Sequence, residues 1–217
     1  MRTVIARIFD YSLDGLVAEE GTSFFDFCRI LPDDPIQIAH ERDFFANADV
    51  HIMGRKHCQD AAQYVPLAVD HPYADVMIAA RKVILSQTMQ TIDWANSSLA
   101  SGDLGAEMEK LKQDGHGYIA AHGGIGFWRS LICHDLIDVY RSSLFPYLAG
   151  KGARLFSDLE QSLRLELVST TAFSNGMTEL AFLCWLLRIS VLKQGSKQQS
   201  EQLYRHLPNG KMERERI

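Results

Sequence analysis

The segment Gly117-Tyr-Ile-Ala-Ala-His-Gly-Gly-Ile-Gly-Phe-Trp-Arg-Ser-Leu-Ile132 sets Gly123, Gly124 and Gly126 between two different apolar patterns. Tyr118 to Ala121 reads as a short buried strand, and Phe127, Leu131 and Ile132 recur at helical spacing. Glycines at a strand-to-helix turn let the backbone come close to a ligand. The free N–H groups at the start of the helix favour an anion there, so the chemistry implied is binding of a phosphate-bearing molecule. A tight turn with a packing glycine would produce the same pattern. Arg129 stands where a full dinucleotide fingerprint has its third glycine.

Two more strand ends carry small or charged residues suited to the same task. Ser12-Leu-Asp-Gly15 follows the first strand, and Val50-His-Ile-Met-Gly-Arg-Lys-His57 runs from a strand into a helix through Gly54 and Arg55. Ligands of open α/β sheets lie beyond the carboxyl ends of the strands. Three such ends and one fixed cation make a better case than any one of them.

The elements that must position these ends alternate along the chain. Strands are expected at Thr3–Phe9, Asp49–Met53, Lys82–Ser86 and Tyr118–Ala121, with a further short one at 96–100. Helices are expected at Ile38–Ala46, Lys56–Tyr64, Leu104–Gln113 and after Gly126. Residues 19–36 read as an irregular loop. Leu136–Tyr147 reads as a long strand, and Leu163–Ala172 and Met177–Leu183 form a hairpin through Ser174-Asn-Gly176, since Asn-Gly between alternating runs is the strongest short hairpin signal. The pattern predicts one α/β domain over residues 1–190: a central mixed, mostly parallel sheet, helices on both faces and a C-terminal antiparallel hairpin. From 191 to 217 the composition becomes polar and charged, as in a mobile tail.

Composition removes several classes of function. The 217 residues carry a net charge of −5, which does not favour nucleic acid. No apolar run approaches the length needed to cross a bilayer, and the N-terminus lacks the clean apolar core of a signal peptide. A cytoplasmic location is expected. Cys28, Cys58, Cys133 and Cys184 are scattered without a Cys-x-x-Cys pair, so free thiols and no metal site are expected.

Val50 to Arg55, Lys82-Val-Ile-Leu-Ser-Gln-Thr88 and His122-Gly-Gly-Ile-Gly126 together resemble the cofactor-binding segments of dihydrofolate reductase. The fuller resemblance is to the reductase domain of the bifunctional riboflavin-biosynthesis deaminase–reductase. It is carried by Ser12-Leu-Asp-Gly15, by Trp94-Ala-Asn-Ser97 and by Pro146-Tyr-Leu-Ala-Gly-Lys-Gly-Ala-Arg-Leu-Phe156, and it covers about residues 1–185. The resemblance implies a dihydrofolate reductase-like three-layer fold and NADPH as cofactor. Gly54 and Arg55 would then lie at the cofactor phosphates, with Arg55 suited to a 2′-phosphate. Ser86, Gln87 and Thr88 would flank the adenosine, and Gly123, Gly124, Ile125 and Gly126 would pass under the pyrophosphate. Relatives often carry Arg where Gln87 stands, which leaves the choice between NADPH and NADH open.

For catalysis the resemblance points to Asp14, at the start of the active-site loop, and to Glu41 (or Asp43) on the helix before the second strand. Asp14 reads equally as a turn residue, and Glu41 as part of a solvated helix face. His122 and His57 flank the groove as hydrogen-bonding structural residues. The signature of a zinc deaminase is absent from the sequence. The reading is therefore an NADPH-dependent reductase of a pterin or pyrimidine-type substrate. The alternative is a non-catalytic nucleotide-binding or scaffold protein that keeps the fold. A homodimer is expected, with strands 136–147 and 180–187 as candidate apolar edges.

Overall fold

The computed structural model describes residues 1–68, 71–157, 159 and 162–184. The tail expected at 191–217, and the end of the apolar run past Cys184, lie outside these residues.

Ten strands form one sheet. Its central strand is β1 (Thr3–Ser12), and a short β2 (Leu16–Val17) folds back on its end. The other strands of the parallel part are β3 (Val50–Gly54), β4 (Lys82–Leu85), β5 (Ser97–Ala100), β6 (Tyr118–Ala121) and β7 (Val139–Phe145). A short β8 (Ala153–Arg154) precedes the antiparallel pair β9 (Leu165–Ala172) and β10 (Thr178–Cys184). The order is β5-β4-β3-β6-β1-β7-β10-β9, with β2 and β8 paired beside it. β5 through β7 run parallel. β10 lies antiparallel to both β7 and β9.

The helices are α1 (Ser23–Ile30), α2 (Pro35–Ala46), α3 (Arg55–Tyr64), α4 (Ala74–Ala79), α5 (Leu104–Gln113) and α6 (Ile125–Cys133). Alternate residues of β1 serve opposite layers, as the two-residue period of a strand requires. Val4, Ala6 and Ile8 meet Met108 and Leu111 of α5 and Trp128, Leu131 and Ile132 of α6. Ile5 packs in the other layer with Phe44 and Phe45 of α2, Cys58 of α3 and Met77 of α4. Parallel strands covered on both faces read as continuous apolar runs, and Tyr118 to Ala121 is buried at every position.

Three details depart from the sequence reading. Residues 19–36 are largely helical rather than an irregular loop. Thr22 caps α1 by accepting from the amide of Phe25 at 3.2 Å, and Phe24 anchors the helix in a cluster with Phe145, Phe173 and Met177. Asp34 caps α2, with Pro35 at the first helical position. Polar caps look like loop residues until the helix they serve is seen. Second, β7 is shorter than 136–147 and is paired on both sides, and β10 is also interior. Among the described residues the outer strands are β5 and β9, so neither strand proposed as an interface is an edge. Third, α4 was unforeseen. Its C-terminal carbonyls are closed by Lys82, whose Nζ donates to Met77 at 2.8 Å and Ala80 at 2.6 Å, and by Asn96. Trp94 stacks on the Lys82 ammonium at 4.8 Å.

Four charges lie in the layer between α2 and the sheet. Arg7 of β1 and Arg141 of β7 are register partners, and Glu179 comes from β10. Glu41 reaches down from α2 to accept hydrogen bonds from Arg7, through Nε at 2.9 Å and through Nη2. Arg7 Nη2 also donates to Ser143 Oγ at 2.7 Å. Arg141 Nε stands 2.8 Å from Glu179 Oε2. All four side chains are buried. Desolvation pulls the Arg7 pKa down to about 9, with Glu179 opposing that shift. Removing one partner of a buried pair strands the other charge, so Glu41→Ala is expected to lower stability by roughly 3–5 kcal/mol. Urea unfolding of the variant against the parent checks this.

Candidate functional site

Strands β4, β3 and β6 are neighbours and point the same way, so the residues after them share one edge of the sheet. Gly54 ends β3 in register with Leu85, the residue before Ser86. Ile52, two residues before Gly54, pairs with Ala121, and Gly123 lies two residues beyond Ala121. The structure thus brings residues 54, 86 and 123–126 together at one edge.

The glycines there divide into two kinds. A Cβ on Gly54 would stand 2.9 Å from Phe127 Cβ, and one on Gly123 would stand 3.0 Å from the Trp128 ring. These two let α6 close onto the strand ends. Cβ atoms added at Gly124 and Gly126 would meet nothing within 4 Å, and Gly124 has φ +39°. The backbone at 124–126 therefore faces open space. Side chains cap α1, α2 and α5 through Thr22, Asp34 and Asp103. By contrast, α3, α4 and α6 start at Gly54, Tyr73 and Gly124 with no side-chain cap, and only α3 and α6 of these start at a glycine. In α6 the amides of Phe127 and Trp128 donate to the Gly124 carbonyl at 3.0 and 3.1 Å, which leaves the earlier amides, at 125 and 126, without an intrahelical acceptor. Two uncapped helix starts behind adjacent strands give amide donors and positive dipole ends to one edge of the sheet. The geometry fits the diphosphate of a dinucleotide.

The other predicted cofactor residues surround this edge. Arg55 is exposed at the first position of α3, with Nη1 3.4 Å from Gln59 Oε1. Ser86 Oγ accepts from the amides of Met89 at 3.1 Å and Thr88 at 3.3 Å, shaping the turn after β4. Gln87 and Thr88 are exposed.

Asp14 is tied into backbone. Its carboxylate accepts from Ser12 Oγ at 2.7 Å and from the amides of Ala149 at 3.0 Å and Gly150 at 2.7 Å. These bonds, led by Ser12, hold its pKa down at about 2. They join the Ser12–Gly15 turn to the Pro146–Phe156 segment. Arg154 strengthens the joint by donating to the Asp14 carbonyl at 3.0 Å. Glu41 is buried and engaged by Arg7, yet it also lines a cavity beside α2.

That cavity, of about 170 Å³, opens between the end of β1, α1, α2 and residues 71–73. Its walls include Phe9, Asp10, Leu31, Glu41, Tyr73 and Phe145. An aromatic layer connects it to the glycine turn. Phe45 touches cavity-lining Phe9 at 5.9 Å and Tyr73 at 4.9 Å between ring centroids, and stacks on His122 at 5.5 Å.

His122 in turn joins a histidine stack that the sequence did not disclose as a unit. His51 Nε2 lies 3.1 Å from the Phe45 carbonyl, which can only accept. In the neutral ring Nδ1 is therefore the acceptor, and it receives the Nε2–H of His122 at 2.7 Å. His57 stacks on His122 with centroids 6.0 Å apart. Burial lowers all three pKa values, that of His51 to about 4 and that of His122 well below the ordinary 6.5. The unfolded chain binds these protons below pH 6.5 and the folded chain does not. Stability is therefore retained above about pH 6.5 and lost as pH falls from there towards about pH 4. Urea unfolding at about pH 7 and about pH 5 should show this loss, and a His51→Asn/His122→Asn double variant should flatten it.

Among the described residues, no group of three His, Cys, Asp or Glu side chains is placed to hold a metal ion. No helix among them is long and apolar enough to cross a membrane.

A parallel sheet with helices on both faces and a closing antiparallel pair is a dihydrofolate reductase-like fold. Residues 2–178 match the family described as the RibD C-terminal domain, and the chain belongs to that family. It is 28% identical over 176 residues to the uncharacterised protein YyaP of Bacillus subtilis (strain 168), covering 79% of this chain and 89% of that one. A crystal structure of a provisionally assigned riboflavin biosynthesis protein from Shewanella sp. PV-4 superposes with a TM-score of 0.66 at 24% identity, over 84% of this chain and 98% of that one. Dihydrofolate reductase from Enterococcus faecalis, complexed with NADP(H) and RAB-propyl, superposes with a TM-score of 0.56 at 12% identity, over 84% and 96% of the two chains.

Proposed function

We propose that this protein is an NADPH-dependent reductase of a small heterocyclic substrate of the pterin or pyrimidine type. The observation that carries the reading is the pair of uncapped helix starts at Gly54 and Gly124, which share one edge of the sheet with the open backbone at Gly124 and Gly126. Family membership and the fold it shares with a reductase crystallised with NADP(H) support it.

In this reading the first-turn amides of α3 and α6 hold the diphosphate, and Arg55 meets the 2′-phosphate with a planar guanidinium. Ser86 and Thr88 set the turn along the adenosine side. The reduced nicotinamide supplies the hydride. The chain's own work is to position and shield the reactants. Phe45 and His122 form the partition between crevice and cavity, and the neutral histidine stack places no cation there. Asp14 fixes the loop over β1 through the 149–150 backbone, which makes it a positioning residue. The substrate occupies the cavity bounded by Phe9, Tyr73 and Phe145.

Fluorescence titration with NADPH and NADH tests the cofactor part. Gly126→Leu places a side chain in space that no protein atom occupies, so the fold should persist while NADPH affinity falls at least about tenfold, a change of about 1.4 kcal/mol. Arg55→Ala should weaken NADPH more than NADH, because only the former carries the 2′-phosphate. Equal losses would remove Arg55 from that role. Oxidation of NADPH on addition of pterins and pyrimidines tests the reaction, and cofactor binding with no turnover of any of them would favour the scaffold alternative.

A further inference from the structure

Arg129, in the place of a dinucleotide fingerprint's third glycine, works away from the core. Gly123 already lets α6 close on the sheet, with the Trp128 ring 3.0 Å from where its Cβ would stand. Trp128, Leu131 and Ile132 face the core, and Arg129 lies half-buried on the flank of the helix. Its Nη2 donates to the Arg154 carbonyl at 2.6 Å and to Ser157 Oγ at 2.9 Å.

Arg154 carries the connection onward. Its carbonyl is held by α6, while its own Nη1 donates to the Asp14 carbonyl at 3.0 Å. The Asp14 carboxylate binds back to the amides of Ala149 and Gly150. Glu19 Oε2 accepts from the Ala153 amide at 3.2 Å, and Leu16 and Val17 pair with Arg154 and Ala153. Residues 12–19 and 149–154 therefore form one unit. Its ladder to the main sheet is thin. Among the described residues β8 pairs only with β2, and β2 meets β1 at Tyr11 and Val17. Leu13 and Leu148 at its tips are exposed, so packing does not hold the tips in place. Polar bonds do, and those donated by a guanidinium are stronger than bonds between neutral groups.

We propose that Arg129 and Arg154 are positioning residues of the reductase site. Linked in series, they tie the loop over β1 to the helix whose start faces the cofactor, so that seating the cofactor also orders the loop. This rests on the reductase reading. Neither arginine touches a reactant. Residues 125 and 126 open α6 at the open backbone, and Arg129 stands one turn further on. A ligand that fixes the start of α6 thereby fixes the donor that holds Arg154, and coupling of this kind travels through contiguous bonds. Two bonds in series transmit only while both are intact. Cutting either abolishes the whole effect, whereas independent surface bonds would lose their effects additively.

Hydrogen exchange of the full chain, with and without NADPH, tests this. The amides of Leu13, Leu16 and Ala18 are bonded to the Tyr147 carbonyl, Ser12 Oγ and the Asp10 carbonyl, so they report on the loop. In the parent, NADPH should slow their exchange at least about fivefold. Arg129→Met and Arg154→Met keep an apolar stem and remove the donors. Each should hold NADPH affinity within about threefold while cutting the slowing to less than about twofold, and the double variant should match either single one. Slowing retained in either single variant would overturn the proposal, as would losses that add in the double variant. Arg154→Met removes an exposed side-chain bond, so it decides the matter even if Arg129→Met fails to fold. NADPH binding to the parent with no slowing of the loop sinks this proposal alone. Absence of NADPH binding sinks the reductase reading and the proposal with it.

Discussion

The buried ion cluster of Arg7, Glu41, Arg141 and Glu179 governs how this molecule is arranged. Charges taken out of water are tolerated only where partners are held in place. These four come from three adjacent strands and one helix, so α2 can sit only where Glu41 reaches Arg7. Once α2 is seated, Phe44 and Phe45 enter the core and Phe45 stacks on His122. The cluster is balanced, with two cations facing two anions.

A second constraint works at the other end of the site. Parallel neighbouring strands deliver their carboxyl ends to one edge, and helices that start immediately behind them must leave first-turn amides there. At α1, α2 and α5 the chain meets this need with Thr22, Asp34 and Asp103. At Gly54 and Gly124 it supplies no side-chain cap, and it removes side chains where a ligand would approach. Gly54 and Gly123 stand against Phe127 and Trp128, while a side chain at Gly124 or Gly126 would meet open space, a division that the glycine pattern by itself does not reveal.

Much of the fold could be read from residues. The buried strand at 118–121, the helix after Gly126 and the turn at Asn175-Gly176 announce themselves by period and turn chemistry. The glycine crevice was legible for the same reason, because its signal is local. What the sequence concealed depends on partners far along the chain. Glu41 looks like one more charge on an amphipathic helix until Arg7 is seen opposite. His51 and His122 lie 71 residues apart, and no spacing rule pairs them. Asp10, with φ +52°, lies where the β1–β7 pairing shifts register between Ile8 and Tyr11; a bulge is a property of two strands and leaves no mark on one. Residues 19–36 misled because capping residues and loop residues share a composition.

The position of β1 has a consequence for how the protein is made. The strand that begins at residue 3 is central, and both of its long partners, β6 and β7, are synthesised more than a hundred residues later. During translation it must therefore wait, unpaired, until most of the chain has left the ribosome. Topologies dominated by such distant pairings fold slowly and expose apolar strands in the interval. Heat-shock chaperones and low expression temperature should matter more for the yield of this protein than its modest size suggests.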